Sequence, residues 1–145
     1  MPLTLTISEN ALPKDRVKEA VRRLTTSMLE WHQLIGNSVM TPNVTANVHI
    51  VPEGFSFSGG REFSAVWVEW KVPSFAFASP EIQKGFGQDA TDIIHELSGG
   101  KQPKDNIYFN VVHTVDGAWN LDGQAMSNDE LGQAIASGSP LAQTS

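Results

Sequence analysis

The sequence predicts an α+β fold in which two β-α-β units in tandem form one four-stranded sheet with two helices on one face. Three observations predict it. Strand-like runs begin at Pro2 and near Phe63, each is followed by a long apolar helical face, and each helix is followed by a second strand-like run. A weak internal repeat supports the duplication: Gly59-Gly60-Arg61-Glu62-Phe63-Ser64 behind the second strand parallels Asp122-Gly123-Gln124-Ala125-Met126-Ser127 behind the fourth.

Pro2-Leu3-Thr4-Leu5-Thr6-Ile7 alternates with period two and hands over near Ser8. Pro13 suits the first turn of a helix, where its missing N–H costs nothing. Val17, Ala20, Val21, Leu24, Met28, Trp31 and Ile35 then recur at spacings of three and four until Gly36 stops the pattern. After a loop with Pro42, Thr45 to Val51 reads as a strand ended by Pro52-Glu53-Gly54. Phe63 to Val72 carries Val66, Trp67, Val68 and Trp70 and is apolar on both faces, as a central strand covered on each side would be. Val66, Val68 and Trp70 lie opposite Trp67, so one set packs helices while the other meets a neighbouring subunit, which predicts an oligomer.

Ser79-Pro80 reads as a helix N-cap followed by proline in the first turn, and Ile82, Phe86, Ala90, Ile93, Ile94 and Leu97 form an apolar face that Gly99-Gly100 ends. Asn106 to His113 is strand-like, with Ile107, Phe109 and Val111 on one face and Tyr108, Asn110 and Val112 on the other. Ser127 and Glu130 have the spacing of a capping box for a short last helix. The expected organisation is one domain over residues 1–136 and a flexible tail over 137–145, where Ser, Gly and Pro gather.

A net charge of −6 argues against nucleic-acid or anionic-membrane partners, which would gain neither counterion release nor Coulomb attraction from an acidic surface. No stretch approaches the roughly 20 apolar residues of a membrane span, and no basic region followed by an apolar run opens the chain. A cytoplasmic protein with no membrane partner is expected. The chain has no cysteine, which removes disulfides, thiolate nucleophiles and thiolate metal sites. His32, His49, His95 and His113 lack metal-ligand spacing. Gly85-Phe86-Gly87-Gln88-Asp89-Ala90 satisfies the dinucleotide-binding pattern but lies within a helical periodicity instead of between a strand and a helix start. Neither a metal nor a cofactor is expected.

Candidate chemistry begins at Pro2. A small second residue is normally exposed when the initiator methionine is clipped off, which here leaves a secondary amine at the head of a strand. Its ring fixes φ, and an α-amino group titrates at about 7.7–8.0 before its surroundings act on it. Apolar surroundings disfavour the ammonium and leave more free base near neutral pH. Proline is also tolerated as the plain first residue of a strand.

These residues resemble the tautomerase superfamily, whose members use an amino-terminal proline as base or acid on a β-α-β scaffold. The resemblance runs from Pro2 to about Met126. Val48-His49-Ile50-Val51-Pro52-Glu53, Phe57-Ser58-Gly59-Gly60, Ile107-Tyr108-Phe109-Asn110 and Trp119 look like macrophage migration inhibitory factor and its relatives. The resemblance implies a homotrimer of β-α-β-β-α-β subunits with active sites at subunit boundaries, each holding one Pro2. It implies that Tyr108 and Asn110 reach the proline's pocket from the adjacent subunit and that Trp119 helps wall it. Proton removal beside a carbonyl needs a base and a donor for the developing enolate oxygen; Pro2 would supply the first, Tyr108 or Asn110 the second, and Trp119 would exclude water.

The lysine that relatives carry after the first helix is Asn37 here. The arginines that bind carboxylates in 4-oxalocrotonate tautomerase and the dehalogenases fall on Leu12, Val48 and Val72. Lys71, then Arg61, are the remaining candidate cations for a substrate carboxylate, although a solvated strand-end charge is the plainer reading of each. His113 near its strand end is a further candidate. The expected function is a cofactor-free keto–enol tautomerase acting on a small α-keto acid or related carbonyl compound. A hydratase, dehalogenase or decarboxylase that uses a protonated Pro2 is one alternative, and a non-catalytic trimeric binding protein is another.

Overall fold

The computed structural model describes residues 1–143. Strand β1 (Leu3–Ser8) leads through a 3-10 turn (Lys14–Arg16) into helix α1 (Val17–Trp31), a short helix α2 (Met40–Asn43) and strand β2 (Ala46–Val51). A small hairpin of β3 (Phe57–Ser58) and β4 (Arg61–Glu62) precedes β5 (Val66–Val72), helix α3 (Pro80–Leu97) and β6 (Ile107–His113). A second hairpin, β7 (Trp119–Leu121) and β8 (Gln124–Met126), hands over to α4 (Asn128–Ser137) and α5 (Pro140–Gln143). The main sheet has the order β2-β1-β5-β6. Its central pair β1–β5 is antiparallel, and β2 and β6 each run parallel to their neighbour, so two β-α-β units join through their first strands. This is the α+β architecture expected from the alternating and helical periodicities.

Alternation decides the layers. Leu3, Leu5 and Ile7 on β1 and Val66, Val68 and Trp70 on β5 are each no more than 1% exposed, and they share one core with Ala20, Leu24 and Met28 of α1 and Phe86, Ala90 and Ile94 of α3. Burying one such aliphatic side chain contributes about 1.5–3 kcal/mol, so this face alone accounts for much of the driving force to fold. Thr4, Thr6, Trp67, Glu69, Tyr108 and Asn110 occupy the intervening positions and form the open face.

The internal repeat proves to be a repeat of hairpins. Gly59 and Gly60 (φ 56° and 79°) and Asp122 and Gly123 (φ 52° and 78°) are all left-handed. Two-residue type I′ loops require positive φ at both central positions. Serine caps also form where expected: Ser79 Oγ accepts from Ile82 N–H, and Ser127 and Glu130 complete a reciprocal capping box.

Two boundaries differ from the sequence reading. Helix α1 stops at Trp31, one turn before Gly36, because Gln33 turns left-handed (φ 57°). Leu34 N–H then reaches Leu29 O (2.8 Å) and Gln33 N–H reaches Glu30 O (3.1 Å), the two bonds of a Schellman cap. Ile35 consequently leaves the helical face and is 54% exposed. The third main strand begins at Val66 instead of Phe63, because Phe63 N–H donates to Ser56 O (3.0 Å) at the base of the first hairpin. Near the carboxyl end, Gly138 O accepts from Ser38 N–H (2.9 Å) before α5; residues 144–145 of the expected tail lie outside the described residues.

Candidate active site

Pro2 sits at the head of β1, between two strands. Its carbonyl accepts from Lys71 N–H on β5 (3.1 Å), and the next residue, Leu3, donates to Thr45 O beside β2 (2.8 Å). Strand register then orders the open face in rows. Pro2 and Lys71 share the first row with Val112; Asn47, Thr4, Glu69 and Asn110 form the second; His49, Thr6, Trp67 and Tyr108 form the third.

The first two rows are linked through a carboxylate. Lys71 Nζ lies 3.1 Å from Glu69 Oε1, and Asn110 Nδ2 donates to Glu69 Oε2 (3.1 Å). The Asn110 amide and then the Lys71 ammonium stabilise the ionised form, holding the Glu69 carboxyl below its usual range. A shallow cavity of about 350 Å³ opens beside this cluster, with Thr4, Thr6, Phe55, Trp67, Glu69 and Asn110 on its walls. A larger cavity, about 750 Å³, lies where α1 ends and α3 starts, against Trp31, Phe75 and Asp89, and none of the candidate residues lines it.

One protomer brings together only part of the expected set. Lys71 is beside Pro2, and Asn110 is one row away. Tyr108 is four residues further along the strand direction, roughly 13 Å at the rise of a strand, where it stacks on Trp67 (centroids 6.2 Å, 18°) and is 39% exposed. Trp119 on β7 is buried in the core of its own protomer. Arg61 is exposed on β4 opposite Ser58. His113, opposite Val72 at the end of β6, engages Ala76 O through Nε2 (2.8 Å).

The positions that lack a cation are structural. Leu12 and Val72 are core residues. Asn37 is buried, donates from Nδ2 to Ile135 O (2.8 Å), and accepts at Oδ1 from Val39 and Met40 N–H (3.0 and 2.8 Å). It ties α2 to α4 in place of presenting a charge.

Sequence reasoning missed two participants. Glu69 could have been found from its two-residue spacing to Lys71 on an alternating strand, which puts both on one face. Met1 carried no such signal. Its side chain is in the core, 4% exposed, and its amine donates to Asn43 O (2.6 Å). Burial pushes that amine down to about 5. Among the described residues no group of three His, Asp or Glu side chains could hold a metal ion, and no helix is long and apolar enough to cross a membrane.

No family model and no curated protein matches the chain in sequence. Solved structures match its fold. A member of the cis-3-chloroacrylic acid dehalogenase family superposes with a TM-score of 0.72 at 14% identity, over 99% of this chain and 97% of the other. A fused 4-OT described as a symmetric trimer gives 0.71 at 9% identity, over 91% and 99%. FG41 malonate semialdehyde decarboxylase, inhibited by 3-bromopropiolate, gives 0.67 at 8% identity, over 92% and 97%. All three are tautomerase-superfamily proteins, and the chain has their fold.

Proposed function

We propose that removal of Met1 makes Pro2 the general base of a keto–enol tautomerase acting on a small α-keto acid or related carbonyl compound. The observation that carries this reading is the placement of Pro2 at the head of β1, fixed by the bonds from Lys71 N–H to Pro2 O and from Leu3 N–H to Thr45 O, at a strand start where burial pushes the Met1 amine down to about 5. Apolar surroundings at that strand start would favour the free secondary amine of Pro2, which would accept a proton from carbon and return it to the enolate oxygen. No electrons are transferred, and the proton balance closes on the substrate. A hydratase, dehalogenase or decarboxylase acting through protonated Pro2 would need the opposite shift, towards a raised pKa.

Lys71, one strand away on the open face, would meet a substrate carboxylate. Tyr108 and Asn110 would serve the Pro2 of a neighbouring subunit in a homotrimer. Exposed Tyr108, Phe57 and Phe55 on or beside the open sheet face support such a contact, as does the trimeric fused 4-OT of the same fold.

The test is ultraviolet-monitored ketonisation of phenylpyruvate enol, after mass spectrometry has shown Met1 absent from parent and variant. Pro2→Ala should lose on the order of 10²-fold or more in rate, the usual contribution of a positioned acid or base. Equal rates would remove Pro2 from the chemistry, and a monomer in sedimentation at micromolar concentration would remove the trimer.

A further inference from the structure

One peptide group, the bond between Ala76 and Phe77 in the loop from β5 to α3, is held at both ends by histidines. Phe77 N–H donates to His32 Nε2 (2.9 Å), and Ala76 O accepts from His113 Nε2–H (2.8 Å). A peptide N–H can only donate and its carbonyl can only accept, so these partners decide where the imidazole protons sit. His32 Nε2 must offer a free lone pair, and its Nδ1–H donates to Met28 O (2.8 Å), which fixes one neutral tautomer. His113 Nε2 must carry a proton, a condition that the neutral and the charged ring both meet. Acid therefore breaks one end of the clamp and leaves the other intact.

The clamped residue is strained. Phe77 has φ 52°, a left-handed conformation that a bulky side chain keeps only where its surroundings enforce it. The peptides on either side are tied separately, Ala76 N–H to Pro73 O (3.0 Å) and Phe77 O to Gln83 Nε2–H (2.8 Å). The Phe77 ring is fully buried among Trp70, Phe86 and Phe109. A half turn of the Ala76–Phe77 peptide would leave those neighbours and the ring in place, return φ to the extended region, and bring the Ala76 carbonyl round to face His32. We infer that protonation of His32 drives this turn: Nε2 takes one proton from solvent, gives up Phe77 N–H as its donor and gains Ala76 O as its acceptor. His113, exposed to water, then accepts from Phe77 N–H by exchanging its ring proton to Nδ1.

Burial holds His32 below its ordinary value of about 6.5, and the bond to Met28 O offsets this only in part. The stability that the neutral ring lends the clamped state is complete above that ordinary value and is lost as pH falls through the lower folded one. The charges that share a cavity with His32 are carboxylates, Glu30 on α1 and Glu81 and Asp89 on α3, and they favour the imidazolium. The loop over 73–79 carries no charge of its own. Near His113 the charged groups are Lys71, opposite Val112, and Asp116 beyond the end of β6. Phe75 and Ser79 of the same loop wall the 750 Å³ cavity with His32, so the turn reshapes that cavity.

The experiment is a nuclear magnetic resonance titration of the labelled full chain from about pH 8 to about pH 5, the range in which histidine charges. It reads the scalar coupling across the Phe77 N–H to His32 Nε2 bond and the amide-to-Hα coupling that reports φ of Phe77. At the alkaline end the cross-bond coupling should be present and φ left-handed. As His32 titrates, the ratio of turned to clamped peptide should rise about tenfold per pH unit, the slope of one proton, while the amide signals of β5 stay in place. His32→Gln, which offers a non-titrating oxygen near the Nε2 position, should stay clamped throughout. His113→Gln, which offers a non-titrating N–H, should still turn. A cross-bond coupling that survives the titration of His32, an unchanged φ, or a turn that persists in His32→Gln would overturn the inference. So would a change that comes only together with loss of the β5 amides, since acid would then be unfolding the whole chain. Should His32→Gln fail to fold, the titration of the parent decides by itself.

Discussion

Trp67 and Trp70 lie three residues apart on β5 and show how differently the two faces of the sheet are completed. Trp70 is fully buried, with Phe77 and Phe86 rings at 6.2 and 5.9 Å. Trp67 is half-buried on the open face, stacked on Tyr108 and met edge-on by Phe63 at 6.1 Å. The helices supply everything the first face needs from within one chain. The second face combines threonines, an aromatic stack and the Lys71–Glu69–Asn110 cluster and carries no helical layer among the described residues, so its stability is what the proposed assembly would change.

The sharpest way to break that comparison is to truncate each tryptophan. Trp70→Ala should destabilise the fold by about 3–5 kcal/mol, the range for a large aromatic removed from a core, read as a lowered denaturant midpoint. Trp67→Ala should leave the isolated subunit's stability within about 1 kcal/mol and show its effect in sedimentation, as weaker assembly. Equal losses of folding stability would mean that the open face is as self-sufficient as the covered one. Trp70 also keeps its Nε1–H buried with no acceptor among the described residues. Trp70→Phe should therefore cost much less than Trp70→Ala, because it removes an unsatisfied donor as well as some volume.

A smaller effect separates the glycines of the covered layer. A Cβ on Gly85 would stand 2.2 Å from the Trp31 ring, whereas one on Gly132 of α4 meets nothing within 4 Å. Gly85→Ala should destabilise by up to about 2 kcal/mol, an overpacking cost of about 1–3 kcal/mol less a helix-propensity gain of about 1 kcal/mol. It should also loosen Trp31, whose indole N–H donates to Asp89 Oδ2 (2.8 Å). Gly132→Ala should keep the propensity gain and raise the thermal midpoint. If both variants were stabilised, Trp31 would not be seated on α3 as described.

Gly85 also shows what was legible in the sequence and what was not. The Gly-x-Gly spelling around it lies inside α3, as its helical periodicity indicated; the reason for the glycine was not readable, since it lies in a tryptophan from another helix. The ends of α1 and α3 make the same point. Both close with Schellman bonds, at α3 through Gly100 N–H to His95 O and Gly99 N–H to Glu96 O, each 2.9 Å. Gly99 announces its left-handed turn, and Gln33 does not, because glutamine adopts positive φ only when packing outweighs a cost of about 1–2 kcal/mol. At the candidate site, the positions of Pro2 at the head of β1 and of Lys71 on the open face were legible from strand position and alternation. Met1 was not, because nothing in a terminal methionine says whether its side chain turns into the core.

The smallest expected change in stability falls on the open face and says most about its chemistry. Glu69 and Lys71 side chains are 31% and 48% exposed, so their pairing is screened and contributes no more than about 1 kcal/mol. Because its carboxyl is held below the usual range, Glu69 adds stability above its unfolded value of about 4.3, and that contribution is lost as pH falls through the lower folded value. Glu69→Gln should accordingly leave the thermal midpoint at neutral pH almost unchanged and remove a small part of the acid-side loss. The same substitution takes the charged partner from Lys71 while leaving an oxygen to accept from it. With a 2-oxo acid the KM of Glu69→Gln should fall while kcat holds, because a substrate carboxylate no longer competes with a fixed one for the ammonium. A KM that stays put would show that Lys71 belongs to the strand and its neighbours and leaves the substrate to other hands.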